Sequence, residues 1–250
     1  MEFGKIGVLL VQAQPRSLGY QVTSMAKAVL MGSILALAPV GVLTTAIAPA
    51  VAEAATPAAA EQEAAQTLRS KLQALPGFSA DFKQVVTNAQ EEVLSQSEGR
   101  IYLQHPDRFM MHTTSPDELA LYTYQGDIYY YDAAVNQVSI FALDRSLSNP
   151  LLLLTSKDES LWNEYRVAQS DNRFTLIPHE VQDIRSVTIA FAEGEHTNEQ
   201  GQSYQLLESL TIRMDDGNSN FYLFSQQQGS AQDSDFDFAL PDDVEMDDMR

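Results

Sequence analysis

The chain has 250 residues, with 34 acids against 15 lysines and arginines and a formal net charge of −19. That length holds one large domain or two small ones, and such a charge repels nucleic acid and anionic membrane surfaces. Cysteine is absent, which excludes disulfides and lipidation on an N-terminal cysteine and leaves the core alone to hold the fold.

The run from Ala28 to Ala52 is uncharged, follows Lys27 and ends in Ala50-Val51-Ala52. This is the pattern of a signal-peptide core with its cleavage site, so residues 1–52 read as an export signal. A permanent membrane anchor competes, because the run is long enough to span a bilayer. Pro39, Gly41, Pro49 and the alanine-rich last third weigh against it, and Met25-Ala26-Lys27 offers an alternative start. Cleavage after Ala52 leaves 33 acids and 12 bases, a charge of −21.

Residues 53–60 read as a flexible mature N-terminus, and residues 61–250 as a single domain. From Glu61 to Leu75, the residues Ala64, Ala65, Leu68, Leu72 and Leu75 recur at helical spacing, predicting one amphipathic helix that Pro76-Gly77 stops. Short strands follow over Phe78–Thr87, Gly99–Gln104, Arg108–Thr114, Leu119–Tyr124, Asp127–Asp132 and Gln137–Leu143. Pro106 marks a bend, and Gln125-Gly126 marks a hairpin.

The strand rhythm breaks over Ser146–Tyr165, where Leu151-Leu152-Leu153-Leu154 after Pro150, and then Lys157–Tyr165, predict two short helices. Strands resume over Arg166–Ala168, Arg173–Pro178, Ile184–Ala192, Leu206–Met214 and Ser219–Ser225, with Asp215-Asp216-Gly217-Asn218 as a turn. The acid-rich end reads as a solvated tail. Short strands at this spacing, with one helix before them and a helical insertion, predict a mainly β (α+β) fold. The expected architecture is an antiparallel sheet curled toward a barrel.

Motifs for catalysis are missing. There is no G-x-S-x-G, P-loop, H-E-x-x-H or G-x-G-x-x-G, and His105, His112, His179 and His196 fall at no metal-ligand spacing, so neither metal nor cofactor is expected. Adjacent acids such as Asp117-Glu118 point to opposite faces of a strand and cannot flank one substrate bond. Ser115 or Ser146 near His112 is the best nucleophile–base combination on offer, and a poor one.

The interior carries more information. If odd-numbered residues of the early strands face inward, Ile101, Leu103, His105, Phe109, Met111, Leu119, Leu121, Tyr129 and Tyr131 share one apolar surface. One apolar face is also what any sheet core requires. Four consecutive leucines, however, cover more than half of a helix, so Leu151, Leu152 and Leu154 suit a lid over a cavity for exchangeable apolar ligands.

From Leu68 to Arg250 the chain resembles the periplasmic outer-membrane lipoprotein carrier proteins, the LolA family. The matching residues are Phe78-Ser79-Ala80-Asp81-Phe82-Lys83-Gln84, Gly99, His105-Pro106-Asp107-Arg108-Phe109, Ser115-Pro116-Asp117-Glu118 and Tyr131-Asp132 with Asn136-Gln137-Val138. Asn149-Pro150, Trp162 with Tyr165, Phe236-x-Phe238-x-x-Pro241-x-x-Val244 and Asp247-Asp248-Met249-Arg250 complete the series. The resemblance implies an unclosed barrel capped by helices, binding the acyl chains of lipoproteins in the periplasm of a Gram-negative bacterium as a monomer without cofactor or catalysis. It also implies two partners, an inner-membrane ABC transporter that supplies the cargo and an outer-membrane receptor lipoprotein that accepts it.

Two positions depart from the family pattern. Tyr102 stands for a usual tryptophan, and His105 for the arginine that in the family bonds to lid backbone and holds the empty cavity shut. With His105 as the lock candidate, the lock is expected to be weaker, or pH-sensitive, or else supplied by Arg100 or Arg108, and replacing His105 by arginine is expected to favour the closed form. Two other functions fit the same fold: an envelope sensor domain that binds lipid, and a lipid-acting hydrolase.

Overall fold

The computed structural model describes residues 57–142, 151–155, 162–181, 183–198 and 201–250. The proposed signal segment lies outside them. Helix α1 spans Pro57–Ala74. It begins four residues before the expected start, inside the stretch read as flexible, because proline at the first helical position lacks only a donor that has no intrahelical partner there. Ala64, Leu68 and Leu72 form its buried stripe.

The strands are β1 (Phe78–Thr87), β2 (Val93–Gln104), β3 (Arg108–Ser115), β4 (Leu119–Tyr124), β5 (Asp127–Asp132), β6 (Gln137–Ala142), β7 (Tyr165–Ser170), β8 (Arg173–Pro178) and β9 (Ile184–Phe191). A small hairpin, β10 (His196–Thr197) with β11 (Ser203–Tyr204), precedes β12 (Leu207–Met214), β13 (Ser219–Gln228) and β14 (Glu245–Asp248). All but the hairpin join one twelve-stranded sheet in the order β14-β6-β5-β4-β3-β2-β1-β13-β12-β9-β8-β7. The order does not close on itself, so β14 and β7 remain as edges. The fold is thus mainly β, an unclosed sheet with a single N-terminal helix, and α1 packs along the edge strand β7.

Gly99 lies within β2 rather than at its start, next to a register shift between β2 and β3. A Cβ there would overlap the His112 carbonyl oxygen and come within 2.7 Å of Thr113 Cα, so only glycine permits the two backbones to approach this closely.

The two faces of the sheet carry separate apolar clusters. The inner one joins α1 to residues of β1–β5, β7–β9, β12 and β13. The outer one holds Met110, Ala120, Tyr122, Tyr131, Val138 and Ile140, covered by Phe236 and, less deeply, by Phe238, Leu240 and Val244.

The C-terminal stretch is therefore not a solvated tail. Its acids face water while Phe238 meets Tyr122, Tyr131 and His112 with ring centroids 5.6, 5.5 and 5.2 Å apart. β14 then pairs in parallel with β6. Arg250 completes the attachment, donating to Asp127 at 2.7 Å and to Asp248 at 2.6 Å.

Candidate functional site

The inner face is built by strand alternation, in which every second side chain points the same way. Phe78, Ala80 and Phe82 of β1, Ile101 and Leu103 of β2, Phe109 and Met111 of β3 and Leu121 of β4 all lie in the inner cluster. Pairings Ile101↔Met111 and Met111↔Leu121 keep odd residues inward across these strands.

The parity reverses at β5, and the expected positions of Tyr129 and Tyr131 need correction. The two-residue turn Gln125-Gly126 pairs Tyr124 with Asp127, so from there odd residues lie opposite even ones, and Leu121 faces Tyr130. Ile128 and Tyr130 consequently line the inner face. Tyr131 joins the outer cluster, and Tyr129, packed against it, stacks on Tyr122 with centroids 5.2 Å apart. Burial and the neighbouring Asp132 carboxylate push the Tyr130 hydroxyl well above its ordinary range, so it stays a neutral donor.

The far half of the sheet contributes aromatic residues that the early strands gave no hint of. Phe174 and Phe191 meet edge to face at 5.9 Å, as do Phe78 with Phe224 at 5.6 Å and Phe82 with Tyr222 at 5.9 Å. One polar group sits among them. Gln84 donates to Tyr222 Oη at 2.9 Å and to Asn220 Oδ1 at 3.2 Å, and accepts from Ser97 Oγ at 2.8 Å. Every polar end of that buried amide is thereby satisfied.

Over the inner face lie α1 and the leucine run. Leu151–Leu154 forms a single 3-10 turn over Leu152–Leu154 rather than a longer helix, and Leu151, Leu153 and Leu154 are buried in the inner cluster. The side chain of Leu152 is outside the description, as are residues 157–161 of the second expected helix; Tyr165 opens β7 instead.

One side chain links helix, turn and sheet. His105, at the start of the β2–β3 connection, has Nε2 at 2.9 Å from the Leu72 carbonyl oxygen of α1 and Nδ1 at 3.0 Å from the Thr155 carbonyl oxygen beside the leucines. Both partners are acceptors, and a neutral imidazole carries one N–H, so the neutral ring donates to only one of them. The Asp107 N–H also donates to Thr155 O, at 3.3 Å.

Neither arginine reaches this junction. Arg100 lies 3.4 Å from Asp81, and Arg108 donates to Gln104 and Asp233 while its guanidinium covers Phe236 at 4.2 Å. Both belong to the outer face, as does His112, whose Nε2 is 2.9 Å from Glu118 Oε1. Ser146 lies outside the described residues.

The sequence profile described as outer membrane lipoprotein carrier protein LolA matches residues 73–239. An outer-membrane lipoprotein carrier protein of Shewanella halifaxensis is 30% identical over 191 residues, 75% of this chain and 86% of that one. One from Pectobacterium carotovorum is 32% identical over 197 residues, 78% of this chain and 93% of the other. Among solved structures, a LolA superfamily protein from Nitrosomonas europaea aligns with 70% of this chain and 98% of its own, at TM-score 0.41 and 10% identity. With more than half of its length matched by the profile and its curated relatives covered almost end to end, the chain belongs to the outer membrane lipoprotein carrier protein LolA family.

Proposed function

We propose that this protein is a non-enzymatic periplasmic carrier, which takes up the acyl chains of lipoproteins released from the inner membrane and delivers them to the outer membrane. The observation that carries the reading is the construction of the inner face. An apolar surface from ten strands is covered by α1 and by Leu151, Leu153 and Leu154, and His105 fastens this cover through backbone contacts. Weak fastening suits a cover that must lift: acyl chains entering between the leucines and the sheet exchange one apolar environment for another, at little net cost.

On this reading Ile101, Leu103, Phe109, Met111, Leu121, Leu151 and Leu154, together with Ile128 and Tyr130, line the acyl site, and Tyr129 and Tyr131 do not. Transfer follows the order of affinities between an inner-membrane transporter, this carrier and an outer-membrane receptor, with no covalent step. The relatives' identity as outer-membrane lipoprotein carrier proteins supports the assignment.

The test is capture of a triacylated lipopeptide by the purified protein, compared with its unacylated form. One-to-one binding that requires the acyl chains is expected. Equal binding of both forms, or ester hydrolysis of the lipopeptide, refutes it.

A further inference from the structure

A second pocket opens where α1 meets β7, with a volume of about 290 Å³. That is near the lower end of the range for small-molecule sites. Trp162 and Val167 line it and are buried residues of the inner cluster, so its apolar wall is continuous with the interior. Arg69 of α1, Arg166 of β7 and His179 beyond β8 also line it.

This concentration of base runs against the rest of the molecule, where 33 acids face 12 bases after residue 52. Among the described residues Glu61 is the only acid in the lining, and it lies 3.8 Å from Arg166. Arg69, half-buried, makes no hydrogen bond or ion pair among the described residues. A guanidinium held in a pocket with its fork uncommitted is suited to an anion with two or more equivalent oxygens. The Tyr165 hydroxyl, kept neutral by burial and by the nearby Glu164 carboxylate, adds a donor in the same lining.

We propose that this pocket seats the phosphate or carboxylate head of a single-chain amphiphile, its tail running past Trp162 and Val167 into the interior. The inference rests on the acyl-binding reading only for the tail; the head is held by Arg69. The carrier would thereby also bind anionic lipids that carry no protein.

Trp162 is the only tryptophan in the chain and reports on the pocket directly. Its fluorescence would be titrated in the purified protein with dodecyl phosphate, dodecanoate, dodecyl maltoside and inorganic phosphate. Dodecyl phosphate is expected to bind about tenfold more tightly than dodecyl maltoside, the contribution of one charge-assisted contact. Arg69→Gln should abolish that preference while leaving dodecyl maltoside binding unchanged, and Arg69→Lys should restore part of it.

Dodecanoate tests whether carboxylate serves as well as phosphate, and a preference for both heads that depends on Arg69 supports the site. A preference that survives Arg69→Gln in a folded variant, or inorganic phosphate binding as tightly as dodecyl phosphate, overturns the proposal. Retained dodecyl maltoside binding with no preference for the anion defeats only this inference; loss of all amphiphile binding defeats the acyl-binding reading too.

Discussion

Replacing His105 tests how the cover over the inner face is held. The ring reaches Leu72 O at 2.9 Å and Thr155 O at 3.0 Å, but in its neutral form it donates only once. Neither carbonyl is orphaned when the ring is removed, because Leu75 N–H donates to Leu72 O and Asp107 N–H to Thr155 O. The loss in His105→Leu is therefore one hydrogen bond, about 1 kcal/mol in the closed form. Arginine supplies donors to both carbonyls, charge-assisted at about 1.5–2 kcal/mol each, against roughly 1–2 kcal/mol for ordering its longer side chain and about 1 kcal/mol for the histidine bond it replaces. His105→Arg should then favour closure by about 1 kcal/mol. The two variants should differ by about 2 kcal/mol, or roughly 30-fold in the open population. Uptake of a neutral apolar dye by the lipid-free protein measures this, with the order leucine, wild type, arginine from fastest to slowest. Rates within twofold of one another for all three would refute the assignment of His105 as the fastening.

Gln84→Leu should destabilise the fold by about 2–4 kcal/mol in denaturant unfolding, because Asn220 and Tyr222 lose their buried partner; no loss would mean that water or rotation satisfies them. Phe238→Ala should cost about 2–3 kcal/mol and raise proteolysis after residue 228, since its ring covers Tyr122 and Tyr131; an unchanged melting curve would show that the C-terminal stretch is not docked in solution. The Asp248 carboxyl is lowered from 3.8 to about 2, chiefly by hydrogen bonds from Arg250. A depressed folded value means stability present above about pH 4 that fades as pH falls toward 2. Carboxyl resonances should show Asp248 titrating near 2 in the wild type and near its ordinary value in Arg250→Gln; identical titration in both would remove Arg250 as the cause.

The pattern that recurs every two residues was enough to place most strands, and that recurring every three to four placed α1, because burial of one face imposes its period locally. The inner positions of β2, β3 and β4 were legible for the same reason. The reversal at β5 was also written in the sequence: a two-residue turn at Gln125-Gly126 forces odd residues opposite even ones, and Tyr129 and Tyr131 were assigned inward by carrying parity straight through it. The place of Tyr222 in the far wall was not legible, because its register depends on strands far apart in the chain, β1 with β13.

By itself the sequence determined a mainly β chain with one helix before the strands, an apolar insertion after β6 and a strongly acidic composition, all of which follow from local pattern and composition, while the carrier family was legible only as a resemblance carried by residues spread along the chain. Tertiary structure alone decided that acidic residues 229–250 pack as a cover, because Phe236 and Phe238 find their partners only on the outer face of the folded sheet. It also decided where His105 and Arg69 lie. His105 meets carbonyls 33 and 50 residues away, and Arg69 lies in a pocket that exists only once α1 has packed on β7. No local rule links partners so distant in sequence; packing brings them together.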